Sequence, residues 1–116
     1  MRRRVADFVA APARSAPLDG ASGVGEAASD RLMVRIGLWL ERGRVRARWR
    51  ASTCASLIAY AEAACEAIEA GTPPQALDAA ALRGLVLGVH PIHHDRAALV
   101  ARAVLAAHQR TAGATA

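Results

Sequence analysis

The sequence predicts a single α+β domain in which a small antiparallel sheet packs against C-terminal helices. Three observations lead to this class. The chain has 116 residues, enough for one hydrophobic core and not for two. From Val34 to Ala51 apolar and other residues alternate, the two-residue period of strands with one buried face. From Ser52 onward the period becomes helical.

Taken in order, residues 1–12 suit a short helix, with Val5, Phe8 and Val9 at helical spacing and Pro12 as its end. Residues 13–29 are rich in Ala, Gly, Ser and Pro and read as a loop. In the first strand Val34, Ile36, Leu38 and Leu40 alternate with Arg35, Gly37, Trp39 and Glu41. Glu41-Arg42-Gly43 supplies a turn whose glycine can take positive φ. Val45, Ala47, Trp49 and Ala51 then alternate with Arg44, Arg46, Arg48 and Arg50. Residues 32–51 are therefore expected to form a hairpin with one apolar and one arginine face.

Ser52 or Thr53 can cap a helix reaching about Ala70, with Leu57, Ala61, Ala64 and Ile68 as its apolar stripe. Gly71-Thr72-Pro73-Pro74 ends it, and a shorter helix is expected from Gln75 to Arg83. The run Leu85 to Ile92 cannot be helical throughout, because Pro91 disfavours helical geometry at His90. A last helix begins near Asp95, and the tail 111–116 is expected to fray.

Composition narrows the function classes. The formal net charge is +5, but all fifteen basic residues are Arg. Alongside the alanine excess this reads as coding bias, so the charge is a poor argument for nucleic acid as a partner. No apolar run approaches the length of a membrane span, and Asp7 and Pro12 interrupt the segment after Met1-Arg2-Arg3-Arg4. Cys54 and Cys65 fall on one expected helix, roughly 16 Å apart. That separation is too long for a disulfide or a shared metal, and reduced thiols in the cytoplasm are the simplest expectation.

Chemistry is offered by Cys54 at the strand-to-helix junction and by His93-His94 before the last helix. A helix start makes a thiol a better ligand or nucleophile, although such a cysteine can equally be a small core residue. Adjacent histidines can equally be solvated, and His90 is a further ligand or a surface group. A Cys–His nucleophile pair lacks a glycine-rich elbow and a third orienting residue, so no enzymatic turnover is expected.

The order of these features resembles the NifU/IscU-type iron–sulfur cluster assembly scaffold family. That family has a Cys-Gly-Asp loop before its long strands, a Gly-Cys at the hairpin-to-helix junction, and a His-Cys before the last helix. The corresponding stretches here are Ala28-Ser29-Asp30, Ser52-Thr53-Cys54-Ala55-Ser56 and Ile92-His93-His94-Asp95. Phe8 to Leu18, with Pro12 between, looks like the family's N-terminal aromatic and proline segment. The resemblance places Cys54 at the middle cysteine, His93 at the histidine and His94 at the last cysteine. Aligned on Gly43, Ser29 falls at the first cysteine and Arg31 at the aspartate. With one loop residue missing Asp30 supplies the aspartate, the choice preferred here. Leu87-Gly88-Val89-His90-Pro91 replaces the family's chaperone-recognition run.

What the resemblance implies is a divergent scaffold that binds iron, a cluster or zinc transiently and passes it to a partner, a sulfur donor or a cluster recipient. Its metal ligands would be Cys54, His93, His94 and Asp30. One thiolate, two imidazoles and a carboxylate suit Zn²⁺ or Fe²⁺ better than a stable iron–sulfur cluster. The alternative is a metal-free adaptor that kept the fold. The arginine face is either solvated or a docking surface for an acidic partner, with Arg44, Arg46, Arg48 and Trp39 as the partner-binding residues.

Overall fold

The computed structural model describes residues 3–115, with side chains described up to residue 111; Met1, Arg2 and Ala116 lie outside the described residues. A three-stranded antiparallel sheet in the order β2-β3-β4 packs on its inner face against helices. The strands are β2 (Gly23–Ser29), β3 (Leu32–Glu41) and β4 (Arg44–Ala51). A short pair, β1 (Arg3–Arg4) with β5 (Val86–Leu87), runs parallel and ties the N-terminus to the later half of the chain. The helices are α1 (Val5–Ala10), α2 (Ala55–Glu69), α3 (Ala79–Leu85) and α4 (Asp95–Thr115).

The expected hairpin is present as β3 and β4, with Val34 opposite Ala51 and Glu41 opposite Arg44. Its connection is the two-residue Arg42-Gly43 turn, with φ of 51° and 79°, the two positive values that match the right-handed twist of the strands. Val34, Ile36, Leu38, Ala47 and Trp49 are buried and Val45 and Ala51 half-buried, as the alternation requires, but Leu40 is exposed because the hairpin tip runs past the helices. On α2 the stripe Leu57, Ala61, Ala64 and Ile68 is buried and joined by Tyr60 and Cys65. Each large apolar side chain buried there contributes about 1.5–3 kcal/mol.

Four expectations fail in instructive ways. The segment 13–29 is not all loop, because its last seven residues are strand β2. Their small side chains serve packing: a Cβ on Gly25 would overlap the Ala103 carbonyl oxygen and the Ala107 nitrogen of α4, and one on Gly23 would overlap the Ala107 carbonyl. Gly23, Gly25 and Ala27 form a two-residue alternation of small residues along the buried face, so α4 lies directly on the strand backbone.

Ser52 and Thr53 do not cap α2. Its N-cap is Cys54, without a side-chain cap, while the Ser52 hydroxyl accepts from the Met33 amide at 2.8 Å. The expected helix 75–83 splits into a 3-10 turn, Pro74–Ala76, and α3, which Asp78 caps by accepting from the Ala81 amide at 2.8 Å. Finally, residues 111–115 continue α4 rather than fray. Thr111 is buried, and its hydroxyl donates to the Ala107 carbonyl at 2.7 Å.

Both sheet edges are partly covered. The Ser52 amide bonds the Met33 carbonyl at 2.9 Å, which fixes the alternation. Odd residues of β3 bond to β4 and even ones to β2, so even residues of β2 and odd residues of β4 face outward. On β2, Arg102 and Arg110 of α4 donate to the outward carbonyls of Ala28 and Val24 at 3.3 and 2.5 Å. On β4, the Trp49 amide bonds the Arg14 carbonyl at 3.0 Å, and the Ala16 amide bonds the Trp49 carbonyl at 3.3 Å. Residues 14–16 thus strap one stretch of this edge. Such cover removes the free donors and acceptors that invite aggregation. Among the described residues no helix is long and apolar enough to cross a membrane.

Candidate functional site

The first polar centre is one the sequence reading missed. Glu62 is 1% exposed, in the middle of α2. One carboxylate oxygen accepts from the Trp49 indole and the Arg14 amide, both at 2.9 Å, and the other accepts from the Arg14 guanidinium at 3.0 Å. Two helical turns on, Glu69 accepts from the Arg14 Nε at 2.7 Å, the Arg48 guanidinium at 2.5 Å and the Ala47 amide at 3.0 Å. Between them Glu66 pairs with Arg3. Burial opposes ionisation of Glu69, but the hydrogen bonds from Ala47, Arg14 and Arg48 outweigh it and hold the carboxyl below its ordinary value. For Arg14 burial works against the charge, and the two carboxylates reverse it and raise its pKa. A centre in which each carboxylate meets a cation fastens the strap to β4 and is a structural network. The spacing Glu62, Glu66, Glu69 along one helix face was the available signal.

The second centre is the pole where α2 and α4 begin. Cys54 is half-buried at the N-cap of α2. Two residues further on, the buried Ser56 hydroxyl meets His93 Nδ1 at 3.2 Å. If Nδ1–H donates to Ser56, Nε2 keeps a lone pair for a metal or a proton; if the hydroxyl donates, Nε2 carries the hydrogen. Arg96, on the first turn of α4, bonds Asp95 at 2.7 Å and lies near the Cys54 thiol. Asp95 first and Cys54 second favour its charged form and raise its pKa against the cost of burial. Its Nε is buried without a partner. Ser29 and Leu32 from the β2–β3 end line a depression of about 190 Å³ with Asp95, Arg96 and Leu99.

The chain therefore brings the β2–β3 turn, the start of α2 and the start of α4 to one end, but it does not gather the expected ligands. Among the described residues no three His, Cys, Asp or Glu side chains come together as a metal-binding group. Asp30 sits exposed in the turn at φ 53°, and Ser29 rather than Asp30 lines the depression. His94 is exposed. His90 accepts the Ile92 amide on Nδ1 at 3.2 Å, which places the proton of its neutral ring on Nε2 and leaves no lone pair for a metal. Of the expected four, only Cys54 and His93 are anchored at the pole, and Arg96 fills the space beside the thiol.

The arginine face is also sorted. Arg46 stacks over Trp39 at 4.4 Å and bonds Glu41 at 3.1 Å, so Trp39 is half-covered by an internal cation. Arg48 is committed to Glu69. Arg44 is exposed and, among the described residues, in no ion pair. Cys65 is fully buried, and burial pushes its thiol pKa up, so it is a core residue. No protein-family model and no curated protein sequence matches this chain.

Proposed function

We propose that the chain is a scaffold-like carrier in iron–sulfur cluster assembly. It offers Cys54 and His93 as two donors, and a partner completes the ligand set. The observation that supports this is the meeting of Ser29, Cys54, His93 and Arg96 segments at one end of the fold. The first three lie in the segments through which the sequence resembles the scaffold family. Two donors are too few to retain a cluster or a tetrahedral zinc alone, so the residues present do not form a complete site. The cargo, whether iron, cluster or zinc, would be held in the partnered state and surrendered when the partner leaves.

The second reading is a metal-free adaptor. It is favoured by Arg96, since a guanidinium beside the only thiol at this pole disfavours a cation there. Iron, sulfide and zinc analysis after anaerobic reconstitution with dithiothreitol, a small dithiol that stands in for the partner's missing ligands, separates the two. Metal that is retained by the parent and by Cys65→Ala, but lost in Cys54→Ala, supports the carrier. Protein that stays metal-free, with Arg96→Ala metal-free as well, leaves the adaptor.

A further inference from the structure

The cover on the β4 edge stops short of the hairpin tip. The strap reaches Trp49, and the Glu69 carboxylate accepts from the Ala47 amide. By the same two-residue alternation the Val45 amide and carbonyl face outward, and Val45 lines an open groove of about 840 Å³. Glu41, Arg42, Arg44, Val45, Arg46 and Glu69 line it. Its two carboxylates are already used, Glu41 by Arg46 and Glu69 by Arg14 and Arg48. Arg42 and Arg44 remain as cations with no carboxylate partner among the described residues.

Arg42 also occupies a left-handed conformation, φ 51°, where Gly, Asn or Asp would sit at lower cost. A guanidinium at the tip is thus held there against a backbone penalty of about 1 kcal/mol.

We propose that this groove takes an extended acidic segment of a partner protein, which adds to the β4 edge at Val45 and places carboxylates against Arg42 and Arg44. Backbone pairing supplies the register and the arginines select the charge. This groove differs from the arginine face as the sequence suggested it. Arg46 and Arg48 are consumed internally, and Arg42, at the turn, replaces them. The inference concerns the partner of the proposed carrier and rests on that reading only in requiring a partner. Its test uses no metal, so a failed metal analysis leaves it standing and its own failure leaves the metal question open.

The probe is a short fluorescent peptide alternating Glu and Val, followed by anisotropy against the full chain at low salt. Binding is expected to weaken about tenfold in Arg42→Asn/Arg44→Ser and about threefold in Arg44→Ser alone, with circular dichroism confirming the fold. Arg50→Ser, exposed on the same strand but outside the groove, is expected to bind as the parent does. The same peptide N-methylated on its backbone is expected to lose at least half of its binding free energy while keeping its charge. The proposal is overturned if the double variant binds like the parent, if N-methylation changes nothing, or if single-stranded DNA of equal charge competes equally well.

Discussion

Along α2, polar side chains are used in two opposite ways. In the C-terminal half Glu62 and Glu69 accept six hydrogen bonds from Arg14, Trp49, Ala47 and Arg48, and every charge meets its opposite. At the N-terminal end Cys54 has no capping bond, His93 holds one hydroxyl, and Arg96 leaves a buried Nε unpaired. The first centre is complete without a partner, as a structural network must be if buried charge is not to destabilise the fold. The second has unused capacity. A group that no internal contact satisfies is where an external ligand or partner can act, and this contrast separates architecture from function in a chain whose polar groups are otherwise hard to rank.

The contrast is broken most directly at Glu62. Glu62→Ala leaves the Trp49 indole and the Arg14 amide without an acceptor, while Glu69 still pairs with the Arg14 guanidinium, and the expected loss is about 2–4 kcal/mol in urea unfolding. A loss below about 1 kcal/mol would mean that water replaces the carboxylate freely and that the network is not structural. Next in size comes the close approach of α4 to β2. Gly25→Ala forces a methyl group into the Ala103 carbonyl and is expected to cost about 1–3 kcal/mol, whereas Gly43→Ala meets open space and is strained only by its φ of 79°.

These same residues show what was legible beforehand. The hairpin and α2 could be read because their side chains face either core or solvent, so hydrophobic alternation reports directly on burial. Strand β2 could not, because its buried face is Gly23, Gly25 and Ala27. Small residues signal a loop unless a helix lies directly on them, and that contact is long-range in sequence. Arg14 is similar: it looks like a loop arginine until the strap lays it across β4 and next to Glu62. At the pole, chain order singled out the segments around Ser29, Cys54 and His93 as candidates. It did not reveal that Arg96 would enter between them, because side-chain convergence depends on how α4 is seated on the sheet.

A smaller and pH-dependent effect sharpens the comparison. The Glu69 carboxyl lies below its ordinary value of 4.5, so its contribution to stability is present above that pH and is lost as pH falls through the lowered folded value. Between about pH 5 and about pH 3 the parent is expected to lose stability more steeply than Glu69→Gln, whose amide does not titrate. Thermal unfolding midpoints across that range measure the difference. Parallel curves would show that the Arg14 and Arg48 contacts do not outlast solvent competition at this partly exposed site.

The smallest stability effect is expected at the pole itself, and for that reason it is the most informative. If Cys54 and His93 are held in reserve for a partner, Cys54→Ser and His93→Gln should each leave unfolding within about 0.5 kcal/mol of the parent. Cys65→Ser should be costlier, because it puts a hydroxyl into a fully buried apolar position. Alkylation gives an independent readout of the same contrast. Cys54 is partly exposed and Cys65 is not, so iodoacetamide should modify Cys54 in the native protein and reach Cys65 only as the core opens. Mass spectrometry of native and urea-treated samples distinguishes the two thiols. Should Cys54 resist native alkylation, or should Cys54→Ser destabilise as much as Cys65→Ser, the thiol belongs to the core. The pole would then be as closed as the Glu62 network, and the partner would have to be sought at the hairpin tip alone.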